Sequence, residues 1–198
     1  MKMQKIYLGL LVALLGTEAP AQDFNQYLSK AKSSYSSGKL EDARFAMQQM
    51  LMELDKKAGK ELLKIFPSQL GDLTANASAD QVSGSSSFTG VVTERHYGSG
   101  TRAAELQVIT NSPLVAGLNS LLSIPFIASS DPNQRRIKVG NYKGITRRQS
   151  ENESPTQFET QIPFGSTLLS LNTTGLSEEE VTKMVQNLPM AEIAKMVE

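Results

Sequence analysis

The chain has 198 residues with 20 basic and 20 acidic side chains, one histidine, no tryptophan and no cysteine. Balanced charge supplies no basic footprint for nucleic acid or a strongly anionic membrane. The lack of thiols excludes disulfides, thiol catalysis and thiolate metal sites, so hydrophobic burial alone must hold the fold.

The stretch "MKMQKIYLGLLVALLGTEAPAQ" carries Lys2 and Lys5, then an apolar run from Ile6 to Leu15, then the small residues Ala19 and Ala21. A basic region, a short apolar region and a small-residue cleavage site predict a secretory signal peptide over residues 1–21. No later segment reaches ~20 consecutive apolar residues, so no membrane span is expected after cleavage. The expected location is periplasmic or extracellular.

Residues 22–66 are rich in Leu, Met, Ala, Lys and Glu and predict a helical hairpin that breaks at Gly38. Tyr27, Ala31, Gly38, Leu40, Ala43 and Met50 fall at the spacing of a single tetratricopeptide repeat, which this segment resembles. Met50 is bulkier than that family's small residue, and no second copy follows. One such unit cannot cover its own apolar face. Residues 23–66 must therefore pack on the rest of the chain, on a protein partner or on another copy. Met47, Met50, Leu51 and Leu54 read as ordinary helix core, although Met-rich faces also grip partners.

Residues 67–87 begin at Pro67 and turn small, polar and Gly/Ser-rich, which predicts a loop or linker. The α+β domain is expected over 88–198. "VVTERHY" and "RAAELQVIT" alternate on either side of "GSGT" and form a hairpin. Residues 111–126 predict a helix with Ser112 as N-cap, Pro113 in its first turn, and Leu114, Leu118, Leu121 and Leu122 on one face. "RRIKVGNYKGITRR" is a second hairpin, turning at Gly140-Asn141. A polar loop over 149–157 leads to two further strands, "FETQIPFG" and "STLLSLNTTG". Ser177 and Glu180 then stand in capping-box spacing ahead of a helix over 176–188, and a short helix closes the chain. The fold class is α+β: an antiparallel sheet of about six strands with helices on one face, preceded by the hairpin.

From residue 60 onward, the landmarks "LLKIFPSQLGDL", "ERHY", "VITNSPLVAGLNSLL", "RRIKVGNYKG" and "IPFGSTLLSLNTTGLSEEEV" resemble exported bacterial proteins of unassigned function. Over residues 88–198, the strand alternation with its glycine-led hairpin and acidic-capped helix is similar to the PsbP-like α+β fold. That resemblance implies a binding or assembly module and carries over no catalytic residue.

No catalytic residue is assigned from the residues themselves either. His96 shares a strand face with Val92 and Glu94. A Ser-His-Asp device would need a placed nucleophile, and no "GxSxG" elbow is present. With one histidine there is no H-E-x-x-H; a zinc site here would need carboxylates, and neither metal nor cofactor is expected. "GSG" is too short for a phosphate loop and reads as the hairpin bend. Glu94 and Glu105, on paired strands, are the nearest carboxylate pair for hydrolytic chemistry. Arg135, Arg136, Arg147 and Arg148 flank the second hairpin as an anion site, or as charges that keep a sheet edge solvated. The reading is a non-enzymatic envelope module. The alternatives are a small-ligand or anionic-glycan binder, or a hydrolase using the His96 face.

Overall fold

The computed structural model describes residues 20–85, 90–111, 115, 132–149 and 154–197. The expected leader lies outside the described residues. So do the predicted 111–126 helix, apart from Asn111 and Val115, and residues 150–153 of the polar loop.

Two helices come first, α1 (Pro20–Ser36) and α2 (Leu40–Ile65). They part at Gly38, whose φ of +73° is the left-handed conformation that glycine adopts without a Cβ penalty. Small buried residues, Ala31 on α1 with Ala43 and Ala46 on α2, let the two helices lie close.

The strands are β1 (Gln69–Leu70), β2 (Leu73–Thr74), β3 (Gln81–Ser85), β4 (Gly90–Ser99), β5 (Arg102–Thr110), β6 (Gln134–Val139), β7 (Tyr142–Arg148), β8 (Gln157–Phe164) and β9 (Thr167–Thr174). β1 and β2 form a minimal hairpin of their own. The others build one antiparallel sheet in the order β3-β4-β5-β9-β8-β7-β6. Two helices follow, α3 (Glu178–Gln186) and α4 (Met190–Val197). The Ser177–Glu180 capping box forms as expected.

Among the described residues the sheet has seven strands rather than about six, because β3 arises inside the segment read as a linker. "QVSGS" has little strand propensity, but its backbone pairs with β4 from Gln81 opposite Glu94 to Ser85 opposite Gly90. Gly84 also leaves room for α2: a Cβ there would lie 3.3 Å from Met52 and 3.4 Å from Lys56.

Period-two alternation divides the sheet into two faces. One face presents Tyr97, Leu106, Val108, Leu169, Leu171, Phe158 and Ile162. These meet Leu62 and Phe66 at the end of α2, Val181 and Met184 of α3, and Ile193 of α4 in a single core.

The α2 stripe is not uniformly core. Leu40, Met47, Leu51, Leu54, Ala58 and Leu62 follow one another along one helix face at heptad-like spacing. Leu62 is fully buried on the sheet, whereas Leu40, Met47, Leu51 and Leu54 are exposed and Met50 is half-buried. The C-terminal half of α2 lies on β3 and β4, and the N-terminal half carries the same stripe past them.

Arg95 sits on the inward face of β4 and is 8% exposed. Burying a guanidinium costs several kcal/mol unless its donors are satisfied. Its Nε and Nη2 donate to the two carboxylate oxygens of Asp80 at 2.8 and 2.5 Å, and Nη1 donates to the Phe66 carbonyl at 3.0 Å. The Asp80 bond raises the Arg95 pKa. Two residues on, the Tyr97 hydroxyl donates to the Pro67 carbonyl, and burial pushes its pKa up to about 12.

Replacing Asp80 by Ala leaves the Arg95 charge buried without its partner, and should lower stability by about 3 kcal/mol or more. Urea unfolding of the two chains measures this; a loss under about 1 kcal/mol would show that the pair is not needed. A second prediction concerns pH. The Ser177 backbone N–H, then Arg102 and the Ser177 hydroxyl, hold the Glu180 carboxyl down to about 2. A depressed carboxylate stabilises the fold above the ordinary range near ~4.3, and loses that contribution as pH falls toward 2. The stability gap between the parent and Glu180→Gln should therefore be present at pH 7 and shrink between about pH 4.5 and 2. A gap independent of pH would contradict the assignment.

Candidate functional site

On the outward face of the sheet, residues from six strands line up in one transverse row. Register pairs His96 with Glu105, Glu105 with Asn172, Asn172 with Glu159, Glu159 with Arg147, and Arg147 with Gln134. The helical hairpin lies on the other face, so residues 23–66 do not seal this row.

At the β4–β5 end the row condenses into a cluster. Glu94 and His96, two apart on β4, project to the same side, and Glu105 stands directly across from His96. His96 Nε2 lies 2.6 Å from Glu94 Oε1, and Nδ1 lies 3.7 Å from Glu105 Oε2. Gln107 Nε2 donates to Glu94 Oε2 at 3.0 Å and to Glu105 Oε1 at 2.5 Å, tying the two carboxylates together. Asn172 Nδ2 adds a longer contact of 3.5 Å to Glu105 Oε1. Glu94, His96 and Glu105 are all half-buried. The sequence placed His96 and Glu94 on one face and Glu105 on the paired strand, as found. It did not single out Gln107 or Asn172, although Gln107 belongs to the same alternation as Glu105.

The four arginines separate. Arg147 points to the outward row and donates to Gln134 at 2.9 Å. Arg148, opposite Phe158, falls on the inward face, where it shares a cleft of about 150 Å³ with Arg135, Thr146 and Glu178. Arg135 Nε is 2.7 Å from Glu178 Oε1 at the start of α3. Thr146 Oγ1 is 2.9 Å from Thr160 Oγ1. Among the described residues, the buried Nε of Arg148 has no hydrogen-bond partner. Arg136 is exposed on β6, which forms one edge of the sheet. Sequence order alone made these residues one group; the strand register places Arg135 and Arg148 together and Arg147 on the other side.

The third surface feature is the bare part of α2, with Tyr35 of α1 and Phe45 also exposed nearby in the chain. Among the described residues no helix is long and apolar enough to cross a membrane. The "GSG" bend is the β4–β5 turn, with positive φ at Gly98 and Gly100.

Compared with known proteins, the chain matches no protein family, no curated protein and no solved structure.

Proposed function

We propose that this chain is an exported bacterial envelope protein that works without catalysis, as an assembly module whose helical hairpin docks on a second copy of itself. The observation that carries this reading is the bare stripe of Leu40, Met47, Leu51 and Leu54, with Leu40 and Leu51 each more than 60% exposed. Fully burying such a side chain contributes about 1.5–3 kcal/mol. The occupant suited to a heptad-spaced seam is another helix with the same spacing.

A second copy fits that requirement in an antiparallel, two-fold arrangement. With the axis at Met47, Leu40 of one chain faces Leu54 of the other at each end. The spacing that resembles a tetratricopeptide repeat then belongs to an adhesive arm. The leader-like residues 1–21 support the exported address.

Deleting the hairpin would remove Leu62 and Phe66 from the core, so point substitutions are the appropriate test. Light scattering behind size exclusion should give a dimer for the parent chain and a monomer for Leu51→Glu/Leu54→Glu, with unchanged circular dichroism. A parent that stays monomeric at every concentration, or a dimer that the double variant leaves intact, would overturn the reading.

One observation favours a second reading, the binding of an anionic ligand or glycan: the unpartnered buried Nε of Arg148 beside Arg135 in the cleft. Retention on an immobilised anionic polysaccharide should then fall with salt and be lost in Arg148→Glu. Retention that Arg148→Glu leaves unchanged would remove the cleft from consideration.

A further inference from the structure

We infer that Glu94, His96 and Glu105 form a binding site for a divalent transition-metal ion on the outward face of the sheet. One ligand atom from each of the three residues lies within 4.8 Å of the others. Zinc takes His nitrogen and carboxylate oxygen at about 2.0–2.2 Å, which puts neighbouring ligand atoms about 3.5 Å apart in a tetrahedral site. Holding one ion therefore means closing the set from within 4.8 Å toward that spacing.

Three further features point to a cation. The donors come from adjacent, hydrogen-bonded strands, so the backbone register fixes their spacing before any ion arrives. The outer oxygens of the carboxylates are already engaged: Gln107 holds one oxygen of each, and Asn172 reaches the same oxygen of Glu105. Glu94 Oε1 is left facing Nε2 of the imidazole and Glu105 Oε2 facing Nδ1, so an ion held by one nitrogen draws in the second carboxylate by side-chain rotation. Supporting hydrogen bonds of this kind orient ligands at metal centres. Charge also fits, since two carboxylates and a neutral imidazole balance a divalent ion.

Oxygen and nitrogen donors without thiolate suit zinc and its first-row neighbours, and affinity among them follows the usual divalent order. Three protein ligands leave a coordination position for water, the pattern of an open rather than a purely structural zinc centre. The site is separate from the α2 seam and does not depend on self-association.

Isothermal titration of the full chain with zinc chloride, after chelator treatment, tests the inference. One zinc should bind per chain and raise the thermal midpoint. His96→Ala, Glu94→Gln and Glu105→Gln should each weaken binding by more than tenfold, and Gln107→Ala by about tenfold. The side chains are half-exposed, so the variants should fold, and circular dichroism checks that they do. If zinc does not bind, or binds equally well to His96→Ala and Glu105→Gln, the site is refuted.

Discussion

The buried guanidinium of Arg95 ties the end of α2 to the β3 edge of the sheet. A charge taken out of water costs several kcal/mol unless it is given an opposite charge and acceptors for its N–H groups. Arg95 meets that demand from two directions. The Phe66 carbonyl closes α2, and Asp80 immediately precedes β3. One side chain on β4 therefore bridges the end of the helix and the start of the edge strand. A cation near the last carbonyls of α2 also suits the helix dipole. Once the C-terminal end of α2 is held there, Gly59 can lie over Thr93 and Val82, and the N-terminal half of the helix projects past the sheet.

The same strand carries the candidate metal cluster, and alternation makes the two inseparable. Val91, Thr93, Arg95 and Tyr97 point inward; Glu94 and His96 point outward. A slip of one residue would bury Glu94 and His96 under α2 and expose Tyr97 to water. The Arg95–Asp80 pair and the Tyr97–Pro67 hydrogen bond oppose that slip. The inward lock thus determines which side chains reach the outward face.

Much of this could be read from the sequence because the signals are local. Glycine at a turn, alternation in "VVTERHY" and Ser177 three residues before Glu180 each specify structure within a few residues. What escaped depends on partners distant in the chain. Gln81–Ser85 becomes a strand because β4 offers hydrogen bonds and α2 covers it, not because its side chains prefer extended backbone. Period-two spacing sets Arg95 on the side of the strand opposite His96, but does not say that Asp80 lets an arginine face inward. The α2 stripe reads as core along its whole length, since no local feature marks where the sheet beneath it stops. The cluster was half legible: Glu94 and His96 follow from spacing two, whereas the Gln107 bridge requires the strand register.

The fold also restricts where it can associate. An antiparallel sheet with open edges invites further strands. Here β6 bears the exposed charges Arg135, Arg136 and Lys138, while β3 is short and packed beneath Met52 and Lys56 at Gly84. The outward face is crossed by a row of carboxylates, amides and Arg147, several of them paired with one another, so stacking a second sheet on it would require desolvating that row. Among the described residues, most of the exposed large apolar side chains lie on α2, at Leu40, Phe45, Met47, Leu51 and Leu54. A helix stripe accepts another helix through side-chain packing alone and leaves every backbone hydrogen bond of the sheet in place. Self-association on this surface would be reversible and limited in extent, whereas pairing at a sheet edge could continue from chain to chain.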